Sequence, residues 1–233
     1  MTNSAYESVS ACGDHERVVP TGAQDRHEAL LLERYRWWAG RYDRKFASYS
    51  ERTLDEAARI LGDPTPERVL DLACGTGLLI ERLLRRDPAV ELTGVDISEE
   101  MLAQASQRLL GCGRVRLLCG SAERIPVASG SFDAVVVSNA FHLVRDASAA
   151  LAECRRALRP GGVLVIVDWC RDVPAMQLLS WSLALTQRLR RRILTTAEQQ
   201  RLVVSAGFEV AECRRFTARP AWGLMSLRAN RRE

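Results

Sequence analysis

The sequence has few of the residue patterns that build metal sites, membrane spans or nucleic-acid surfaces. It contains three histidines, and none of its seven cysteines forms a C-x-x-C pair, so the spacing typical of a zinc site is missing. No apolar run approaches the roughly 20 residues of a membrane-spanning helix. The net charge of +4 is mild for 233 residues, although Lys45 is the only lysine. We therefore expect no metal, no membrane span and no nucleic-acid partner.

The N-terminal segment also lacks the features of a secretory signal, because residues 1–17 are polar and acidic. An odd number of scattered cysteines in such a chain predicts reduced thiols and a cytoplasmic location. Residues 1–26 show no hydrophobic periodicity, which predicts a flexible tail.

Four arginines fall within 188–192. The solvated end of a helix is favoured there over a contact with an acidic substrate or nucleic acid.

An apolar run that ends in an acidic residue and turns through two glycines, VLDLACGTGLL at 69–79, is the most informative stretch. It predicts a strand, a tight loop and a helix N-terminus, the geometry that cradles a nucleotide-like ligand. Ile80 stands where a dinucleotide fingerprint would carry its third glycine. Asp71 would repel a pyrophosphate, yet it could accept hydrogen bonds from an ammonium group. A nucleoside with a positively charged amino-acid tail, such as S-adenosylmethionine, fits both features.

A second acidic residue supports this prediction. Asp96 ends the next predicted strand, 21 residues after Gly75, near the spacing at which a carboxylate binds ribose hydroxyls. An ordinary strand–helix turn with two solvated acids is the alternative. The apolar strand, Asp71, Gly75, Gly77 and Asp96 together favour the ligand site.

Three further segments carry a family resemblance: GVDIS (94–98), GSAERIPVASGSFDAVVVSNAFHLV (120–144) and LRPGGVLVIVDW (158–169). With LDLACGTG (70–77) they resemble the class I S-adenosylmethionine-dependent methyltransferases, in the small-molecule branch related to ubiquinone/menaquinone biosynthesis. The resemblance extends from about Tyr35 to the C-terminus.

The alternation of strand and helix patterns predicts an α/β fold with a doubly wound, largely parallel sheet. The resemblance implies a Rossmann-like sheet of seven strands in the order 3-2-1-4-5-7-6, with strand 7 antiparallel. A single domain is expected over residues 27–233, beginning with a helical cap at about 27–62. The predicted strands are 68–72, 92–96, 115–119, 132–138, 163–168, 208–216 and 222–229; the predicted helices are 53–62, 78–86, 98–110, a short piece near 121–124, 146–158, 173–192 and 196–206.

Aromatic residues spaced by three or four, namely Trp38, Tyr42, Phe46 and Tyr49, can share one helix face. That face either packs on the core or covers the ligand site. In the resembled family this segment often covers the active site.

Position and resemblance together give the candidate site. Ser121 stands where this family often has Asp to accept from the adenine amino group, so Ser121 can still accept there, but without charge assistance. His142 is the candidate general base, although a packing role is favoured. The predicted cofactor-binding residues are Tyr42, Asp71, Ala73, Gly75, Thr76, Gly77, Asp96, Ile97, Met101, Ser121, Ala122, Glu123 and Asn139, and the predicted substrate pocket consists of Trp38, Phe141, His142, Asp168 and Trp169.

The sequence therefore predicts metal-independent transfer of a methyl group from S-adenosylmethionine to a small molecule, with the acceptor atom left open. One alternative is a non-methylating cyclase or binder on the same cofactor-binding fold. Another is an RNA or protein methyltransferase that uses the arginine-rich segment.

Overall fold

The computed structural model describes residues 23–38, 41–186, 192–218 and 222–232. They form a seven-stranded sheet in the order β3-β2-β1-β4-β5-β7-β6. The first five strands run parallel, and β7 lies antiparallel to both β5 and β6, which confirms the predicted fold. The strands are β1 Arg68–Leu72, β2 Glu91–Asp96, β3 Val115–Cys119, β4 Phe132–Ser138, β5 Leu158–Trp169, β6 Phe208–Thr217 and β7 Gly223–Arg231. The helices are α1 Ala23–Trp38, α2 Tyr42–Leu61, α3 Leu78–Arg86, α4 Glu99–Arg108, α5 Ala147–Ala157, α6 Pro174–Thr186 and α7 Thr196–Ser205.

The central strands are apolar on both faces because helices cover both sides of the sheet. In β1, Leu70 and Leu72 join a core cluster that includes residues of α5, whereas Val69 packs in a second cluster with residues of α2 and α3. Successive side chains of a strand point to opposite faces, so one strand contributes to both clusters. Because β1 lies between β2 and β4 and runs parallel to both, the carboxyl ends of the three strands lie side by side at one edge of the sheet.

Two helices form the N-terminal cap, and they interrupt the aromatic face predicted for a single helix. The helix α1 ends at Trp38 and α2 begins at Tyr42, so the four aromatic residues do not lie on one continuous helix. The predicted helix at 53–62 is the C-terminal half of α2. Residues 1–22 of the predicted tail lie outside the described residues, and α1 already begins at Ala23.

Two other local predictions were wrong. The strand β5 begins at Leu158, five residues before the predicted start, because Leu158 pairs with Phe132 ahead of a register shift. The predicted helical piece near 121–124 is a tight turn, in which Ser121 and Arg124 form an isolated bridge. The predicted helix over 173–192 is observed as Pro174–Thr186, and 187–191 lie outside the described residues.

The cysteines depart in part from the predicted reduced state. Five of them, Cys74, Cys112, Cys154, Cys170 and Cys213, are free thiols. Cys119 is disulfide-bonded, so the prediction of reduced thiols throughout was wrong for this residue.

A buried carboxylate joins three neighbouring strands. Asp133 in β4 accepts hydrogen bonds from the backbone N of Arg68 in β1 (2.8 Å) and from its guanidinium (3.1 Å), and it pairs with Arg159 in β5 (2.6 Å). Burial alone would raise the pKa of Asp133, but the hydrogen bonds and charge of Arg68, with the charge of Arg159, hold that pKa below its ordinary value.

We expect Asp133→Asn to lower the free energy of unfolding by about 1–3 kcal/mol near neutral pH, because both arginines lose a charged acceptor. A group with a depressed folded-state pKa stabilises the fold above its unfolded-state pKa, about 3.9, and loses that effect as the pH falls through the folded-state value. The difference in unfolding free energy between the two proteins, measured by urea titration, should therefore begin to shrink as the pH falls below about 4. An undiminished difference at pH 3 would contradict the charge-based explanation.

Candidate functional site

A cavity opens at the carboxyl ends of β1, β2 and β4 and is covered by residues of α1 and α2. The glycine loop after β1 and the loop after β3 form its floor, and the segment after β4 forms a wall. In doubly wound sheets ligands bind outside the strand carboxyl ends, where the strand order reverses. Here the reversal falls between β1 and β4.

The glycine loop has left-handed backbone conformations at three alternate positions. Ala73, Gly75 and Gly77 have φ angles of 61°, 54° and 79°. Gly75 lines the cavity, and a Cβ there would meet nothing within 4 Å, so its glycine is explained by backbone conformation. A Cβ on Gly77 would lie 3.2 Å from that of Ala105 and 3.1 Å from a methyl of Leu109, so Gly77 permits the close approach of the loop to α4 and its C-terminus.

Asp96 links this loop to the end of β2. One carboxylate oxygen accepts from the backbone N of Gly75 (2.8 Å), and the other accepts from the backbone N of Ser98 (2.9 Å). Burial raises the pKa of Asp96, while these backbone hydrogen bonds oppose that shift. The carboxylate also lines the cavity. It therefore has a fixed orientation in which it can accept hydrogen bonds from a ligand.

Asp71 is the unusual group of the site. Its side chain is buried and lines the cavity, yet both carboxyl oxygens have no hydrogen-bond partner among the described residues. Burial, and then the nearby charge of Asp96, raise the pKa of Asp71 to about 8. Buried carboxylates are ordinarily paired, so this one indicates a cationic ligand group that completes the site.

Two residues missed by sequence reasoning hold Thr76 in the glycine loop. The Thr76 hydroxyl donates to Asp43 of α2 (2.7 Å), and Arg108 of α4 donates from Nε to the Thr76 carbonyl (2.8 Å). Asp43 and Arg108 also form an ion pair with each other. The loop is thus joined to the beginning of α2 and the end of α4. No local sequence pattern points to either residue, because both contacts connect separate helices.

The side of the cavity next to Asp96 is formed by the predicted nucleoside residues. Ile97, Met101, Ser121, Ala122 and Glu123 all line it. Glu123 also accepts from the backbone N of Asp146 (2.8 Å).

The helix α1 supplies a further wall that the sequence predicted only as a general cap. His27, Glu28, Leu31 and Tyr35 line the cavity. A signal for this wall was present, since Glu28, Leu31 and Tyr35 follow at intervals of three and four and share one helix face.

Asn139 lies at the end of β4 in a left-handed conformation, with φ of 59°. Its side chain bridges the cavity wall and α2, because its carbonyl oxygen accepts from the Tyr49 hydroxyl (2.6 Å) and its amide donates to Thr53 Oγ1 (2.8 Å). Trp169 in turn donates from Nε1 to the Tyr49 hydroxyl (2.6 Å). Tyr49 is thereby a positioning residue for Asn139, and Phe141 lines the cavity beside Asn139.

The structure places the predicted substrate-pocket residues His142, Asp168 and Trp169 together, behind the wall of this cavity. Among the residues that the structure describes, these three are not part of the cavity lining, and the His142 side chain is only 5% exposed. His142 donates from Nδ1 to Asp168 (2.7 Å) and from its backbone N to the other oxygen (2.6 Å), while its ring stacks on Trp169 at 4.4 Å. They form a layer behind the cavity, because the short 3-10 turn Phe141–Leu143 directs Phe141 and Leu143 toward the cavity instead.

Some predicted residues cannot be placed in the cavity. The side chains of Trp38 and Tyr42 lie outside the described part of the chain. Gly77 contributes through its close packing against α4.

Within the described ranges, no group of three or more His, Cys, Asp or Glu residues could hold a metal ion, and none of the helices there is long and apolar enough to cross a membrane.

Comparisons with known proteins agree with this geometry. The family described as "Methyltransferase domain" matches residues 69–162. A demethylmenaquinone methyltransferase from Thermotoga maritima is 34% identical over 151 residues, which cover 63% of this chain and 63% of that protein. Among solved structures, the 1,6-didemethyltoxoflavin-N1-methyltransferase of Burkholderia thailandensis, with bound 1,6-didemethyltoxoflavin and S-adenosylhomocysteine, has a TM-score of 0.71 at 20% identity and covers 92% of this chain and 93% of its own.

A second solved structure supports the same fold. A putative methyltransferase in complex with the Haloferax volcanii Trm112 methyltransferase activator has a TM-score of 0.75 at 20% identity, covering 87% of this chain and 98% of its own. The chain spans between 43% and 63% of the length of the first curated relatives that it matches.

Replacement of Asp71 by Asn should make the ligand-free protein less sensitive to rising pH. An acid whose folded-state pKa is raised to about 8 destabilises the fold progressively as the pH climbs from the unfolded-state value, about 3.9, to the folded one. We expect wild type to lose about 3–5 kcal/mol relative to Asp71→Asn across that window. Melting temperatures from pH 5 to 8.5 would show it, and parallel curves would mean that Asp71 is ionised or paired in the free protein.

Proposed function

We propose that this chain, which belongs to the class I S-adenosylmethionine-dependent methyltransferases, transfers a methyl group from S-adenosylmethionine to a small-molecule acceptor. The observation that carries the proposal is the buried carboxyl of Asp71, which has no hydrogen-bond partner within the described part of the chain and lies beside the glycine loop and the fixed carboxylate of Asp96. A ligand with an ammonium group and a ribose would satisfy both. A dinucleotide, which has a pyrophosphate instead of an ammonium group, would leave Asp71 unpaired and repelled.

Different residues of the cavity would bind different parts of the ligand. Asp71 would accept from the ammonium group, and Gly75 with Thr76 would let the backbone approach the amino-acid part. Asp96 would accept from the ribose hydroxyls, and the apolar side chains of Ile97 and Met101 would pack on the base. These residues fit S-adenosylmethionine in charge and in hydrogen-bonding capacity.

The sulfonium of S-adenosylmethionine supplies an already activated methyl group. The protein's task is then to hold the acceptor in line with that methyl and to exclude water. The residues Leu31, Tyr35, Phe141, Leu143 and Val144 give the cavity an apolar side that suits this task. They support an acceptor with a largely apolar, aromatic surface, and the curated relatives make demethylmenaquinone the first acceptor to test.

Binding to the cofactor product tests the first half of the proposal. We expect Asp96→Ala to weaken binding of S-adenosylhomocysteine by roughly ten- to a hundredfold, because the paired hydrogen bonds that the ribose hydroxyls donate to a charged acceptor are lost. Calorimetry on both proteins measures this ratio. Glu67→Ala is the matched control, since Glu67 is exposed and precedes β1 at the opposite edge of the sheet. Wild-type affinity in Asp96→Ala, or tighter binding of a nicotinamide dinucleotide, would contradict the ligand assignment.

Label transfer from methyl-labelled S-adenosylmethionine tests the second half. A panel of apolar aromatic acceptors, with demethylmenaquinone first, should yield labelled product and demethylated cofactor in equal amounts. Cofactor binding without transfer to any member would favour the non-methylating cyclase or binder. Transfer to RNA or protein in place of small molecules would favour the macromolecular methyltransferase.

His142 is expected to act through packing. Its contacts to Asp168 and Trp169 hold the turn that carries Phe141, so His142→Gln should lower the free energy of unfolding by about 1–3 kcal/mol. The pH profile of kcat for the best acceptor should keep its shape. Melting curves and rates across pH 5.5–9 provide both readouts. An unchanged melting temperature with kcat reduced about a hundredfold would identify His142 as a general base instead.

A further inference from the structure

The helix α1 brings a second carboxylate to the loop after β3, where Ser121 lines the cavity with a hydroxyl and the Glu123 carboxylate already accepts from the backbone N of Asp146. Ser121 donates from its hydroxyl to Oε1 of Glu28 at 3.1 Å, although the two residues lie 93 positions apart in the chain. Both residues line the cavity. A carboxylate that accepts one hydrogen bond from a hydroxyl can still accept others from a ligand.

The strand register places this pair beside the proposed ribose site. Asp96 in β2 lies opposite Cys119 in β3, and the backbone N of Gly120 donates to the Asp96 carbonyl at 2.9 Å. Ser121 therefore directly follows Gly120, whose backbone is hydrogen-bonded to Asp96, the proposed ribose-binding residue. Because the base of a nucleoside is bonded directly to its ribose, a nucleoside held at Asp96 has its base next to this loop.

We propose that Glu28 recognises the exocyclic amino group of the base and thereby selects adenine over deaminated purines, with Ser121 orienting its carboxylate. This inference rests on the proposed function. A carboxylate only accepts hydrogen bonds, and the Ser121 hydroxyl, which donates its hydrogen bond to Glu28, presents its lone pairs as further acceptors. An amino group donates to such a pair with charge assistance. A purine with a carbonyl at the same position would place an acceptor against acceptors, which disfavours binding.

Because Glu28 lies on α1, recognition of the base requires α1 to be docked on the domain. His27 donates from Nε2 to the carbonyl of Leu143 (2.7 Å), and Arg36 pairs with Glu100 (2.8 Å), so polar contacts flank Glu28 along the helix. A ligand that binds Glu28 favours the docked helix, and the docked helix favours the ligand to the same degree. The selection of the base and the covering of the cavity are thus one equilibrium.

The test compares S-adenosylhomocysteine with S-inosylhomocysteine, its deaminated analogue, by calorimetry. Wild type should prefer the adenine form by tenfold or more. Glu28→Gln should bind S-adenosylhomocysteine about tenfold more weakly and lose most of the preference, because the Gln amide can donate to the inosine carbonyl. Glu33→Gln is the matched control, since it removes one negative charge from an exposed position on the same helix and should retain both affinities.

Hydrogen exchange supplies a readout independent of the affinities. S-adenosylhomocysteine should slow exchange in α1 of wild type and of Glu33→Gln, and slow it less in Glu28→Gln. Should Glu28→Gln fail to fold, Ser121→Ala measured in the same way should lose part of the preference.

The outcomes separate the two proposals. Failure of wild type to bind either compound would overturn the proposed function and this inference with it. Tight binding of S-adenosylhomocysteine by wild type, with an undiminished preference in Glu28→Gln, would overturn the role of Glu28 alone.

Discussion

The carboxylate of Asp96 is the contact on which the arrangement of the site depends. It accepts one hydrogen bond from a backbone N–H of the glycine loop and another from a backbone N–H at the beginning of α4. Two adjacent strands thereby have their following segments fixed to a single buried charge. The left-handed residues of the loop are stabilised by this anchor, since backbone conformations of that kind persist only where surrounding contacts determine them.

The same site is arranged at a cost to the free protein. Asp71 and Asp96 are both buried, and burial raises the pKa of each. Because Asp71 has no hydrogen-bond partner among the described residues, the fold carries an uncompensated polar group there. Elsewhere the buried carboxylates are paired, as Asp133 is with Arg68 and Arg159. Asp133 thus stabilises the sheet through its own ion pairs, whereas Asp71 needs a cationic ligand group to pair with it.

The sequence predicted elements and loops well where the signal is local. The strands β1, β3 and β4 have the predicted bounds, because a short local run rich in apolar residues defines each of them. The start of β5 was missed because Pro160 and two glycines resemble a stop signal, whereas pairing with β4 overrides them. Contacts between distant helices were also missed. Asp43, Arg108 and Tyr49 reach the site through tertiary packing, which no spacing within one segment encodes.

The hydrogen bond between Trp169 and Tyr49 gives the molecule a built-in optical reporter. The Trp169 indole stacks on His142, meets Trp222 edge-on at 4.9 Å and donates to a hydroxyl carried by α2. Trp37 and Trp181 are 63% and 72% exposed, so they emit from a watery environment. The emission of Trp169 depends instead on whether Tyr49 is in place. Loss of the hydrogen bond from Trp169 to Tyr49 should therefore change the intrinsic fluorescence of the protein, to which the neighbouring Trp222 also contributes.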